Sequence, residues 1–122
     1  MDHSPAFLRL VSEAKKGIRE TDVKTIKARL AKKEKFLLID TREDHEWSKG
    51  RLPSAVHMGR GVLERDIEQA VPDKGTEMVL YCGGGFRSAL SAESLQKMGY
   101  TNVVSMDGGF RGWVEAGGDV QK

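Results

Sequence analysis

A chain of 122 residues with 20 basic and 18 acidic side chains, 39% hydrophobic content and one cysteine fits a single globular domain. Its longest apolar run, Met78 to Cys82, is far short of the ~20 residues of a membrane span, and Asp2, His3, Ser4 and Pro5 interrupt the start where a secretory signal needs an apolar stretch. The lone Cys82 excludes an internal disulfide, a CxxC redox pair and a multi-cysteine zinc site, and it favours a reducing, cytoplasmic compartment.

In chain order, Pro5 to Lys16 suits a short helix, with Phe7, Leu8 and Val11 on one face and Gly17 closing it. Residues 1–17 therefore read as a helical extension ahead of a domain over 18–122. Thr21 can cap a second helix whose Val23, Ile26 and Leu30 form one stripe. Phe36-Leu37-Leu38-Ile39 runs into Asp40 without alternation, the habit of a parallel strand buried on both faces. Thr41 to Lys49 offers one or two helical turns, and Ala55-Val56-His57 a short strand after Pro53. Val62, Leu63, Ile67 and Ala70 mark a helix stopped by Pro72. Met78 to Tyr81 is the clearest strand. The clearest helix is Arg87 to Met98, with Ala89, Ala92 and Leu95 inward and Gly99 as its cap. Val103-Val104 is a further strand, and Gly109 to Ala116 a last helix ended by Gly117-Gly118. This alternation predicts an α/β fold, a parallel sheet flanked by helices on both faces.

The charge is unevenly spread. Nine basic residues against three acids between Lys15 and Lys35 give that segment +6 and leave −4 for the rest. A solvated helix face accounts for this run, and a docking surface for an acidic partner is the alternative. No aromatic residue is interleaved with the charges, which argues against nucleic acid.

Cys82-Gly83-Gly84-Gly85-Phe86-Arg87-Ser88 joins the best strand to the best helix, where open α/β sheets bind ligands. Three glycines permit positive φ and let successive N–H groups form a concave anion nest. The start of the following helix and the Arg87 guanidinium add positive charge there. Each stabilises negative charge on the Cys82 sulfur and so favours nucleophilic attack. A buried structural cysteine would account for Cys82 alone, but not for the glycines and arginine that follow it.

This loop resembles the active loop of the rhodanese, or thiosulfate sulfurtransferase, family: a cysteine at the end of a buried strand, a six-residue loop, then a helix. Two flanking stretches share the likeness. Asp40-Thr41-Arg42-Glu43, continuing to Glu46-Trp47-Ser48-Lys49-Gly50-Arg51-Leu52-Pro53-Ser54-Ala55, is similar to the family's first half, and Gly108-Gly109-Phe110-Arg111-Gly112-Trp113 to its last motif. The family's usual Gly-His-Ile-Pro-Gly-Ala is here Gly50-Arg51-Leu52-Pro53-Ser54-Ala55, a departure confined to a turn. The likeness covers roughly residues 19 to 117 and leaves 1–17 outside.

The resemblance implies a rhodanese-like sheet and a sulfurtransferase in which Cys82 is catalytic. Cys82 would take a sulfane sulfur from a small anionic donor such as thiosulfate and hold it as a persulfide. The acceptor would be thiophilic: cyanide in an assay, a thiol in the cell, including a protein thiol. Gly83, Gly84, Gly85, Phe86, Arg87 and Ser88 would cradle the persulfide and the donor's anionic end. Asp40 and Arg42 match a structural pair that braces the first strand, and Phe110 and Trp113 match packing positions. No cofactor, metal, nucleic acid or membrane is implied. An ionised thiol attacking sulfane sulfur needs no general base, which suits a loop without a Cys–His–Asp arrangement.

Other signals are weaker. Arg60, between Gly59 and Gly61, could supply a second cation for an anionic donor, and His57 could stand near the mouth of the site. His45-Glu46 begins like a zinc-protease HExxH, but position 49 is Lys. Two rival functions share the Cys82 loop. Cysteine phosphatases and arsenate reductases pair Cys and Arg across five intervening residues, whereas four, Gly83 to Phe86, intervene here. A sulfur-carrier or interaction module, docking through the basic segment with incidental sulfurtransferase activity, is the other.

Overall fold

A computed structural model describes residues 3–122 of the chain. The central strand β4 (Met78–Tyr81) is buried along its whole length, because it sends Met78 and Leu80 to one face and Val79 and Tyr81 to the other. It lies between β2 (Leu37–Asp40) and β5 (Val103–Asp107); β3 (Val56–His57) and β1 (Arg19–Asp22) form the edges. The order is β1-β5-β4-β2-β3, and all four pairings are parallel.

Helices cover both faces, as expected for a sheet of continuous apolar strands. On one face, Leu63 and Ile67 of α4 (Arg60–Ala70) and Ala92 and Leu95 of α5 (Phe86–Lys97) pack on Ile39, Met78, Leu80 and Val103. On the other, Ile26 of α2 (Val23–Ala31) and Trp113 of α6 (Gly109–Glu115) pack on Leu38, Val79, Tyr81 and Met106. α1 (Pro5–Gly17) lies outside α5, seating Val11 and Ala14 against Ala89 and Leu90. A short α3 (Asp44–Lys49) follows β2. After α6 the chain turns back: Trp113 Nε1 donates to Asp119 O at 2.7 Å, and Gln121 pairs antiparallel with Arg51.

Two local expectations need correction, and one strand is unannounced by the sequence. Arg19–Asp22 is that strand; its pattern is almost wholly exposed because this edge pairs only with β5. The cap of α2 is Asp22, whose carboxylate accepts from Thr25 N at 2.7 Å, not Thr21. On α1, Leu8 is 44% exposed, since the face meeting α5 runs through Phe7, Val11 and Ala14.

Candidate active site

The chain reverses direction across the sheet between β2, whose crossover leads outward to β3, and β4, whose crossover leads to β5. Open α/β sheets bind ligands beyond the strand ends at such a point. Cys82 sits there, directly after β4 and 1% exposed. Gly85 N–H donates to its Sγ at 3.1 Å, and Ser88 Oγ lies 3.5 Å away on the first turn of α5. Ser88 is held in turn by Ser105 of β5, 2.8 Å between hydroxyl oxygens, with both serines fully buried.

The loop keeps its shape because its carbonyls face away from the sulfur. Phe110 N–H donates to Cys82 O at 2.7 Å and Arg111 N–H to Gly83 O at 3.0 Å, so the start of α6 grips the loop from behind. Gly109 makes this approach possible: at φ +56°, any Cβ there would collide with Cys82 O and sit 2.7 Å from the Gly83 carbonyl carbon. Gly85, at φ +106°, turns its N–H toward the sulfur in a conformation that side chains resist.

In front of the sulfur lies a cleft of about 540 Å³. Gly83, Gly84, Phe86 and Arg87 line it, while Gly85 N–H and Ser88 Oγ lie against Sγ. The Arg87 guanidinium is clamped by Glu46 of α3, Nη1 to Oε1 at 2.8 Å and Nη2 to Oε2 at 3.1 Å. These hydrogen bonds hold Glu46 down at about 2 and are the first cause that raises Arg87. The second cation of the cleft is Arg111 of α6. Glu43 and His45 form the rim after β2, and His3 and Phe7 reach in from the N-terminal segment.

Arg60 does not line this cleft. It opens α4, where its N–H donates to Thr41 O at 3.0 Å and its Nε is buried without a hydrogen-bond partner among the described residues. His57 faces a neighbouring cavity of about 520 Å³; there it stacks on Trp47 and its Nε2 lies 2.8 Å from Arg42 O. Asp40 and Arg42 form a buried ion pair, 2.7 Å from Nη2 to Oδ2. The same Nη2 donates to Gly50 O, and the guanidinium lies 4.2 Å from the centre of the Phe110 ring. The pair thus ties the end of β2 to α6.

Arg111 was within reach of the sequence, since it stands in the Gly108–Trp113 stretch. Glu43 likewise stands in the Asp40–Glu43 stretch, whereas nothing local marks His3, Phe7 or Ser105, which come to the site through the packing of separate elements. Among the described residues, no group of three or more His, Cys, Asp or Glu side chains is placed to hold a metal ion, and no helix is long and apolar enough to cross a membrane.

Comparison with known proteins agrees with this geometry. The YtwF protein of Bacillus subtilis is 33% identical over 79% of this chain and 90% of its own length. A sulfurtransferase of Allochromatium vinosum is 29% identical over 82% of this chain and 92% of its own. A solved structure from Rhodopseudomonas palustris, a protein of unknown function described as a possible tyrosine phosphatase, superposes with a TM-score of 0.82 at 27% identity, covering 99% of both chains. The rhodanese-like domain family is matched by residues 22–116, which run from the cap of α2 past the end of α6 and include the whole Cys82 loop. With that span, this five-stranded parallel sheet and its cysteine loop, the chain belongs to the rhodanese-like domain family.

Proposed function

We propose that the protein is a sulfurtransferase that moves a sulfane sulfur from a small anionic donor such as thiosulfate to a thiophilic acceptor. The observation that carries this reading is the setting of Cys82: a buried Sγ that receives the Gly85 N–H at 3.1 Å, with two arginines lining the cleft in front. Cys82 thiolate attacks the outer sulfur of the donor, and a new S–S bond forms as the donor's own S–S bond breaks. With thiosulfate, sulfite leaves with the electron pair and the negative charge passes to the outer sulfur of the persulfide. The Gly85 N–H, already placed on Sγ, stabilises the developing anion without reorganising. Attack by cyanide or a thiol then removes the sulfur and restores Cys82. As the chain has no second cysteine, the persulfide has no internal thiol to collapse onto, and the acceptor is external.

Intact mass after thiosulfate treatment tests this directly. The expected result is a gain of one sulfur, ~32 Da, reversed by cyanide or dithiothreitol and absent from Cys82→Ala. No adduct at any donor concentration overturns the proposal.

The relative described as a possible tyrosine phosphatase makes phosphoryl transfer the second reading. Four residues between Cys82 and Arg87 make a ring one residue shorter than a phosphatase loop, and Arg87 is already committed to Glu46. Turnover of an aryl phosphate that disappears in Cys82→Ala would move the assignment to that class.

A further inference from the structure

We infer that the N-terminal helix is part of the active site and selects organic, singly charged sulfur donors over inorganic dianions. This rests on the sulfurtransferase reading. His3 and Phe7 meet the Phe86 ring of the cysteine loop to form an aromatic wall along the cleft. The His3 ring centre lies 5.1 Å from that of Phe7 and 5.1 Å from that of Phe86, edge-on to the latter. The wall is anchored at two places. Val11 and Ala14 bury against α5, and Lys15, 5.5 Å from the Phe86 ring centre, bridges to Glu20 and Asp107. Thiosulfate has no carbon to lay against such a wall.

Charge points the same way. Arg87 and Arg111 face the cleft, but so do Glu43 and Glu46, and the formal charges cancel. A dianion gives up more hydration than a monoanion on entry, and a lining of zero net charge returns nothing for it. A monoanion with an apolar body gives up less hydration and gains ring contacts. A thiosulfonate, R–SO2–S⁻, has that character. Cys82 thiolate takes its outer sulfur, and the sulfinate R–SO2⁻ leaves with the electrons of the broken S–S bond.

The test compares kcat/KM for cyanide-coupled transfer from thiosulfate, methanethiosulfonate and benzenethiosulfonate, each normalised to its uncatalysed reaction with cyanide. The expected order is benzenethiosulfonate, methanethiosulfonate, thiosulfate, with the ring alone worth on the order of tenfold. Phe7→Ala and the exposed His3→Ala lower the benzene-to-methane ratio toward one. Phe7→Leu, which preserves packing on α5, lowers it as well because the ring is gone. Equal normalised values for the two thiosulfonates, or a preference for thiosulfate over both, overturns the inference while leaving sulfurtransferase activity in place. No persulfide on Cys82 with any donor brings down both.

Discussion

Glu46 is the residue whose role is least expected from its type, because a carboxylate beside an anion site opposes binding. It neutralises Arg87 through two hydrogen bonds and also closes the capping box of α3, accepting from Glu43 N at 3.0 Å. Glu46→Gln keeps an acceptor for the capping box but removes the charge. Its KM for thiosulfate should fall about two- to fivefold, as steady-state assays would show; an unchanged KM would mean that Glu46 does not oppose the donor's charge. Ser105 acts at one remove. Ser105→Ala leaves the buried Ser88 hydroxyl without its 2.8 Å partner, at a stability loss of about 1–3 kcal/mol measurable by urea unfolding. Cys82 loading should slow with it, since Ser88 is then free to turn from the sulfur. Neither role could be read from the sequence, which places Glu46 36 residues before Cys82 and Ser105 23 after it.

At the scale of elements, α6 does more for the site than its seven residues suggest. Its first N–H groups hold the carbonyls of Cys82 and Gly83, and Gly109 is the contact that no side chain can occupy. Gly109→Ala should push the loop away from α6. The expected result is more than tenfold loss of sulfurtransferase activity and a lower melting temperature; unchanged activity would show that the grip is dispensable. The elements legible in the sequence were those with unambiguous burial: Met78–Tyr81, apolar to both faces, and α5, with Ala89, Ala92 and Leu95 at helical spacing. β1 was hidden because Arg19, Glu20 and Asp22 are exposed on an edge that follows no apolar pattern. β5 runs beyond Val103-Val104 because Ser105 continues it as a buried polar residue, satisfied by Ser88. The flanking glycines make Arg60 one candidate for a second cation, whereas the pairing of β5 beside β4 brings Arg111 to the cleft. Strand order decides that, and spacing along the chain does not encode it.

Across the whole molecule, two apolar layers on a fully parallel sheet leave the polar chemistry to the strand ends. Leu63→Ala, in the layer between α4 and the sheet, should cost about 2–5 kcal/mol in urea unfolding; less than 1 kcal/mol would mean that the layer collapses to fill the gap. Stability should also fall in acid. Glu46 is held at about 2 against an ordinary 4.5, so the folded protein takes up that proton later than the unfolded chain does. The stabilisation is therefore complete above pH 4.5 and lost as pH drops toward 2. Melting temperatures across that window should decline less steeply for Glu46→Gln than for the wild type, and parallel curves would refute the linkage.

The 1% exposure of Cys82 has a consequence in time as well as in space. Under the proposed reaction, the atom that meets the acceptor is not the cysteine sulfur but one set ~2.05 Å farther along the S–S bond. By the same proposal, the empty Cys82 sulfur lies at the back of the cleft and the loaded sulfur stands forward in it, so a bulky acceptor would reach the second more easily than the first.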